Sequence, residues 1–221
     1  MVLDPATLLP PTVVWRAAVP TELEGELLPQ EEAQVARAGD ARRLEFRAGR
    51  LLARAALAEL GIEGFALLAG EDRAPRWPAG TVGSISHTRD WCAVALTRDP
   101  RIPALGIDGE SARALPERLL ERVCTARERD WLHARPAAER PWLSKLFFSA
   151  KESFYKCQYP LTGRFLGFAD VELAPDPEAR TFDVRVRAGL RGWPPRGTRF
   201  EGRFAVADGR LSSCAFLSRT S

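Results

Sequence analysis

One order of elements occurs twice in this sequence: a long helix-forming stretch followed by several short β-type segments. Residues 31–60 are rich in Ala, Leu, Arg and Glu and contain no proline, which predicts one helix that ends before Gly61. The next runs, TVGSISH and WCAVAL, flank a turn-prone TRD tripeptide and predict a β-hairpin. A further strand is predicted over residues 104–108.

The second half of the chain repeats this order. A helical region over residues 115–159 precedes four predicted strands, around residues 170–173, 182–187, 200–207 and 211–217. Asp208-Gly209, between the last two, is a strong hairpin-turn signal. No residue-level repeat accompanies the order, so duplication of a half-domain and chance alternation both remain open.

Several protein classes are excluded by what the chain lacks. Its longest run without a charged residue is residues 77–88, shorter than the ~20 apolar residues of a membrane span. The first residues carry Asp4 and two adjacent prolines where a signal peptide would need a basic and then an apolar stretch, so we expect a cytoplasmic location. The four cysteines form no CxxC pair and read as reduced thiols, and no Walker or GxGxxG motif occurs.

Lysine is confined to one short window. Of 32 basic residues, 29 are arginine, and Lys145, Lys151 and Lys156 all lie in KLFFSAKESFYK. On a helix, Lys145, Ser149, Glu152 and Lys156 share one polar face. A compact ammonium can serve as a point donor to phosphate or as a proton donor, which a guanidinium cannot. The simpler alternative is a solvated Glu152–Lys156 ion pair at i, i+4 spacing.

Two further clusters carry groups that bind metals or phosphates. In the strand LGIDGE, Asp108 and Glu110 project to one side, and paired carboxylates suit Mg²⁺; the alternative is a solvated acidic turn. Glu152 would add a third carboxylate if the two halves of the chain meet. In SISHT, Ser86 and His87 offer phosphate partners at a strand end, although a lone His there is often only a turn residue.

Five segments, in this order, together resemble the Sfp-type 4'-phosphopantetheinyl transferases, particularly the branch of enterobactin synthase component D-like and mycobacterial enzymes. They are ARRLEFRAGRLLARAAL, DRAPRWPAGTVGSISHT, LGIDGE, FFSAKESFYK and PLTGRFLGFADVEL, and they span about residues 42–173. The resemblance implies an α+β fold of two similar half-domains with a pseudo-twofold relation and the active site at their interface. We place the halves at residues 1–112 and 113–221.

The resemblance also implies a reaction. Such enzymes transfer the phosphopantetheine arm of coenzyme A to a serine of an acyl or peptidyl carrier protein, need Mg²⁺, for which Mn²⁺ can substitute, and release adenosine 3',5'-bisphosphate. A monomer is expected, with no nucleic-acid or membrane partner. Whether the carrier belongs to fatty acid, polyketide, nonribosomal peptide or siderophore synthesis is left open.

The resemblance also implies roles for individual residues, by their positions in the matching segments. Asp108, Glu110 and Glu152 match the metal carboxylates, Glu152 also matches the base, and Lys156 matches the group at the pyrophosphate. The residues that match coenzyme A phosphate contacts are Arg42, Arg50, Arg73, Ser86 and His87, with Arg76 as an alternative to Arg73. Arg43 competes with Arg42, because helical geometry favours the former and spacing from Arg50 favours the latter.

Two other functions remain as alternatives. A Mg²⁺-dependent phosphoesterase acting on nucleotides would use the same carboxylates to activate water. A non-enzymatic nucleic-acid-binding module would use Arg43, Arg47, Arg50 and Arg54, which recur along one helical stripe, as a phosphate track.

Overall fold

Two antiparallel sheets, each packed against one long helix, make up the fold. The structure is a computed structural model and describes residues 8–187 and 189–220. Residues 1–7, which hold part of the N-terminal stretch considered for a signal peptide, lie outside the described residues. No helix in the described ranges is long and apolar enough to cross a membrane.

The first sheet has the strand order β1-β3-β2. Its strands are β1 Val14–Ala18, β2 Val82–Thr88 and β3 Trp91–Thr97. Two helices accompany it, α1 Pro29–Val35 and α2 Asp40–Glu59, and α2 packs against the sheet. The predicted β2–β3 hairpin is confirmed, whereas β1, in the proline-rich start, was not predicted.

The prediction of one helix over residues 31–60 is wrong at one point. The chain leaves the helix after Val35 and re-enters it at Asp40, with Gly39 in an extended conformation as the N-cap. The buried carboxylate of Glu31 accepts hydrogen bonds from the amide of Leu67 at 2.9 Å and from Arg54 at 2.7 Å. These bonds hold α1 across α2, a position that one straight helix could not reach.

The second sheet has the strand order β4-β8-β7-β6-β5. Its strands are β4 Ala104–Ser111, β5 Val171–Asp176, β6 Thr181–Val186, β7 Thr198–Ala207 and β8 Arg210–Arg219. The predicted helical region is three helices: α3 Glu117–Val123, α4 Ala126–His133 and α5 Arg140–Thr162. The Asp208-Gly209 turn is confirmed, since both residues have positive φ between β7 and β8.

Strand β4 belongs to the second sheet, although the division at residue 112 assigns it to the first half. It pairs with β8 along its whole length, from Ala104 opposite Leu217 to Ser111 opposite Arg210. The chain therefore passes from one sheet to the other between β3 and β4. The division into two halves and their pseudo-twofold relation stay predictions.

The two sheets meet where β2 lies beside β4. Side-chain hydroxyls bridge these strands: Ser84 Oγ accepts a hydrogen bond from the Ile107 amide at 3.0 Å, and Ser86 Oγ accepts one from the Gly109 amide at 3.1 Å. A core cluster below them combines Trp91 of β3 with residues of β4 and β8. The junction is therefore both hydrogen-bonded and apolar.

Gly106 lets α5 pack backbone-to-backbone on β4. A Cβ atom there would lie 2.6 Å from the amide nitrogen of Cys157, and closer still to the carbonyl oxygen of Ser153. Any side chain at this position would push the helix away from the strand. The closeness of α5 to β4 thus depends on the absence of a side chain at Gly106.

A buried ion pair fixes the opposite side of α5. Lys151 Nζ donates to Glu128 Oε2 at 2.8 Å, to the Val123 carbonyl at 2.7 Å and to the Phe168 carbonyl at 3.0 Å. The side chains of Lys151 and Glu128 are 2% and 1% exposed. One of the three lysines is therefore a structural anchor between α5 and α4.

We predict that Gly106→Ala lowers the free energy of unfolding by about 3 kcal/mol, because the atoms it meets are backbone and cannot turn aside. Chemical denaturation with circular dichroism measures the change. Gly49→Ala is the control, since its nearest neighbour is a side-chain methyl, Ile85 Cγ2 at 3.3 Å, and not backbone. Equal losses in the two variants would contradict the backbone contact.

We predict that Lys151→Met costs about 3–5 kcal/mol of stability, because it leaves the Glu128 carboxylate buried without its cation. The exposed pair Arg127–Glu172, with Arg127 78% exposed, is the matched control. Arg127→Met should change stability by less than about 1 kcal/mol, as measured by the same denaturation. A Lys151→Met variant as stable as Arg127→Met would show that the buried pair contributes nothing.

Candidate active site

The polar face of α5 meets the acidic end of β4. Lys156 Nζ donates to Asp108 Oδ1 at 2.8 Å and to the Ile107 carbonyl at 3.0 Å. Lys145, three turns earlier on α5, donates to Glu110 Oε2 at 3.2 Å. The structure thus brings together the lysine-containing helix and the DxE strand, and Lys156 pairs with Asp108 rather than with Glu152.

The two carboxylate oxygens of Asp108 differ, because one accepts hydrogen bonds and the other has no partner. Its Oδ1 accepts from Lys156 and also from Ser86 Oγ at 2.9 Å. Its Oδ2 is buried and has no hydrogen-bond partner in the described part of the chain. A buried carboxylate oxygen without a donor is uncommon and calls for an explanation.

Glu110 and Glu152 lie near this carboxylate. Burial raises the pKa of Glu152 above its ordinary value, the charges of Asp108 and Glu110 raise it further, and Lys156 opposes them. Burial and the charge of Asp108 likewise raise the pKa of Glu110, against Lys145. The three carboxylates therefore repel one another electrostatically across the interface of β4 and α5.

The carboxylates of Asp108, Glu110 and Glu152 are chemically suited to bind a divalent cation. Hard carboxylate oxygens are the ligands that Mg²⁺ prefers, and Asp108 Oδ2 is buried without a donor. As the side chains stand, no three His, Cys, Asp or Glu residues within residues 8–187 and 189–220 are grouped closely enough to hold a metal ion. Lys145 and Lys156 neutralise the carboxylates in this arrangement.

A cleft of about 1060 Å³ opens beside the carboxylates. Its walls come from α2, the loop over residues 69–77, β2 and the last turns of α5. The predicted site residues that line it are Arg42, Arg50, Arg73, His87, Glu152 and Lys156. Most of the predicted phosphate contacts therefore share one cavity with two of the predicted catalytic groups.

Arg42 and His87 form one contact on the cleft wall. Arg42 NH1 lies 3.2 Å from His87 Nε2, which must accept because a guanidinium only donates. The proton of the neutral ring is then on Nδ1, which faces Glu45 Oε2 at 3.5 Å. Burial lowers the pKa of His87, Glu45 opposes the shift, and Arg42 adds to it, so the ring is neutral near pH 7.

Arg42, rather than Arg43, faces the cleft. Arg43 donates to the Val35 carbonyl at 3.2 Å and forms an ion pair with Glu32, so it holds α1 in place. The spacing from Arg50 therefore indicates the cleft residue correctly, and the stripe geometry does not.

The Arg50 side chain is held in a fixed position, and the backbone of Arg73 stands on a closed loop. Arg50 donates from Nε to the Leu67 carbonyl at 2.8 Å and stacks over Phe46, with its Cζ atom 3.8 Å from the ring centroid. Burial lowers the pKa of Arg50 to about 10, which leaves it cationic at neutral pH. Arg73 has a φ of 65° at the tip of a tight loop closed by the Gly70 amide donating to the Ala74 carbonyl at 2.8 Å.

Two predicted phosphate contacts do not line the cleft. Arg76 lines a smaller neighbouring pocket with Glu71 and Asp72. Ser86 is 3% exposed and turns toward β4, where both of its hydrogen bonds lie. Successive side chains of a strand point to opposite faces, and here Ser86 faces β4 while His87 faces the cleft.

The arginine stripe of α2 holds the N-terminal segments. Arg47 donates to the Leu23 and Gly25 carbonyls, and Arg54 donates to Glu31 and to the Glu26 carbonyl. Arg43 contacts α1 and Arg50 is buried, so all four guanidinium groups of the stripe form contacts within the protein. These contacts give the stripe a structural role in holding the N-terminal segments.

Sequence reasoning missed several cleft residues. Glu45 contacts both Arg42 and His87, and its i, i+3 spacing from Arg42 was the available signal. Tyr155 and Tyr159, one helical turn apart on α5, line the cleft with ring centroids 5.2 Å from each other. Their helical spacing was visible, but nothing in the sequence told which side of α5 would face the first sheet.

Comparison with known proteins agrees with this geometry. The family model of the 4'-phosphopantetheinyl transferase N-terminal domain matches residues 30–97, and that of the 4'-phosphopantetheinyl transferase superfamily matches residues 104–196. The chain is 44% identical to 4'-phosphopantetheinyl transferase Svp of Streptomyces mobaraensis over 92% of this chain and 85% of that protein.

Two further relatives represent the branch that the motifs indicated. The chain is 33% identical to 4'-phosphopantetheinyl transferase PptT of Mycobacterium tuberculosis, over 86% of each protein. It is 36% identical to enterobactin synthase component D of Escherichia coli O157:H7, over 64% of this chain and 66% of that protein. On this similarity, which spans both sheets and the cleft between them, the chain belongs to the 4'-phosphopantetheinyl transferase superfamily.

Proposed function

We propose that this protein transfers the 4'-phosphopantetheine group of coenzyme A to a serine of an apo acyl or peptidyl carrier protein, with Mg²⁺, and releases adenosine 3',5'-bisphosphate. One observation carries the proposal: Glu152 and Lys156 line a cleft that also holds Arg42, Arg50 and His87, and Lys156 is bonded to Asp108 behind it. Basic groups for phosphates thus share one cavity with Glu152, and Lys156 connects that cavity to the carboxylates of β4.

The cleft suits a large, multiply charged nucleotide. Its volume of about 1060 Å³ exceeds that of most small-molecule pockets. Arg42, Arg50 and Arg73 supply positive charge on the wall away from the carboxylates, which favours the outer phosphates of coenzyme A. Neutral His87 has one ring N–H that can donate to a phosphate oxygen, so it can complete a phosphate contact without adding charge.

Asp108 and Glu110 of β4 and Glu152 of α5 would hold Mg²⁺. When bound, the cation supplies positive charge to the pyrophosphate oxygens on which negative charge develops. It would also relieve the repulsion that raises the pKa values of Glu110 and Glu152. The unpartnered Oδ2 of Asp108 supports this assignment.

Glu152 and Lys156 are assigned the proton steps. The serine oxygen of the carrier attacks the phosphorus that bears the pantetheine arm, and the bond to adenosine 3',5'-bisphosphate breaks. Glu152, whose raised pKa makes it a better base than an ordinary carboxylate, accepts the serine proton. Lys156, held by Asp108 and the Ile107 carbonyl, neutralises the pyrophosphate and can donate a proton to the leaving oxygen.

The partner assignment follows from charge and from the position of the site. The net charge of +3 suits acidic carrier proteins, and the stripe contacts on α2 weigh against nucleic acid. We expect a monomer, because residues of one chain line both sides of the cleft.

The exposed Phe165, packed edge-on against Tyr155 with ring centroids 5.7 Å apart, lies beside the cleft where a carrier would approach.

We predict that Glu152→Ala and Asp108→Ala each lower the rate of carrier modification about 10³-fold or more, because each removes a carboxylate from the reacting centre. Mass spectrometry of the apo carrier after incubation with coenzyme A and Mg²⁺ measures the transfer. Glu121→Ala, at an exposed site on α3, is the control and should match the unsubstituted enzyme. Coenzyme A hydrolysis without a mass gain on the carrier would instead indicate a phosphoesterase.

We predict that Lys156→Arg lowers the rate about 10²-fold, because the wider guanidinium cannot replace a compact ammonium that contacts both Asp108 and a backbone carbonyl. Lys145→Arg is the comparison. Lys145 pairs with Glu110 outside the cleft lining, so the rate of carrier modification in this variant should fall by less than about 10-fold. The same mass-spectrometric assay gives both rates. A Lys156→Arg variant with the rate of the unsubstituted enzyme would refute the role of this lysine.

A further inference from the structure

Ser86 is tied to the acidic end of β4 by both of its hydrogen bonds. Its hydroxyl donates to Asp108 Oδ1 at 2.9 Å and accepts from the Gly109 amide at 3.1 Å. The residue is 3% exposed. By resemblance it was expected to contact a phosphate of coenzyme A, and neither bond suits that role.

The strand geometry turns Ser86 away from the cleft. Its neighbours Ile85 and His87 line the cleft, and the His87 ring contacts Arg42 there. Because successive side chains of a strand point to opposite faces, the Ser86 side chain points to the junction with β4. A phosphate in the cleft would have to displace Asp108 to reach its hydroxyl.

We propose that Ser86 is a positioning residue for Asp108 and is not a phosphate ligand. The inference rests on the proposed function, in which Asp108 holds Mg²⁺. A carboxylate turns easily about its last side-chain bond, so one donor leaves its plane poorly fixed. Ser86 from β2 and Lys156 from α5 both bind Oδ1, which leaves Oδ2 as the oxygen available to the cation.

Ser86 also joins the two parts of the site. It lies next to His87 in the sequence, so one strand carries both a wall of the nucleotide cleft and the support of a metal carboxylate. Gly109, whose amide donates to Ser86, sits between Asp108 and Glu110 and has the Trp91 ring packed where a Cβ would be. The position of β2 therefore sets the position of the carboxylates on β4.

Ser84, two residues away, provides a matched control for metal binding, and unlike Ser86 it also lines the cleft. Its hydroxyl accepts from the Ile107 amide at 3.0 Å, which is the same kind of bond between β2 and β4, and it is also 3% exposed. No carboxylate contact accompanies that bond among the hydrogen bonds of the described residues. Ser84→Ala thus removes a bridge between the strands and keeps the support of Asp108.

The test measures metal and coenzyme binding separately on the full chain. Mn²⁺ serves as the metal probe, with its affinity read by electron paramagnetic resonance. The affinities for coenzyme A and for dephospho-coenzyme A are read by calorimetry in EDTA. We expect Ser86→Ala to weaken Mn²⁺ binding about 10-fold or more, the usual effect of losing a group that supports a metal ligand.

The same variant should leave both coenzyme affinities within about twofold. Ser84→Ala should leave the Mn²⁺ affinity within about twofold as well. A selective loss of coenzyme A over dephospho-coenzyme A in Ser86→Ala, with Mn²⁺ binding unchanged, would make Ser86 a phosphate ligand and overturn the proposal. Equal loss of Mn²⁺ affinity in the two alanine variants would also overturn it, because both would then only hold β2 against β4.

Asp108→Asn separates this inference from the proposed function. If Asp108→Asn does not weaken Mn²⁺ binding, the metal assignment itself fails, and the role of Ser86 fails with it. If Asp108→Asn weakens binding and Ser86→Ala does not, only the positioning role is overturned. Should Ser86→Ala fail to fold, Ser86→Cys, which keeps the size and a weak donor, should give a smaller loss of Mn²⁺ affinity than Asp108→Asn and a larger one than Ser84→Ala.

Discussion

The backbone contact between α5 and β4 at Gly106 is the constraint on which the site depends. Side chains between a helix and a sheet hold the two apart, whereas a glycine beneath the helix allows a closer approach. That approach lets Lys156 reach both Asp108 and the Ile107 carbonyl. Without it, the α5 and β4 groups would line two surfaces rather than one centre.

The restriction of lysine to α5 has two physical causes. Lys145 and Lys156 each neutralise a carboxylate of β4, where a compact cation fits between a strand and a closely packed helix. Lys151 points the other way and places all three of its donors on Glu128 and two carbonyl oxygens. Two of the three ammonium groups of α5 thus neutralise carboxylates of β4, and the third anchors the helix on its opposite face.

Local sequence patterns predicted the helices and strands better than they predicted which of these elements pack or pair together. The β2–β3 hairpin and the end of α2 at Gly61 follow from turn and cap residues that act within a few positions. The pairing of β4 with β8 joins residues about a hundred positions apart in the sequence, and strand propensity has no information on it. The environment of Ser86 was missed for the same reason: alternation assigns a side chain to a face, but only the tertiary pairing decides what that face meets.

The unpartnered oxygen of Asp108 is best understood as a cost that the fold accepts for function. Burying an acceptor without a donor costs about 1–3 kcal/mol, and a nearby serine or threonine hydroxyl could have supplied one. Instead, Ser86 and Lys156 both bind the other oxygen, and burial and mutual repulsion raise the pKa values of Glu110 and Glu152. A core selected for stability alone would not crowd three carboxylates while leaving one oxygen bare. A site that binds a cation would.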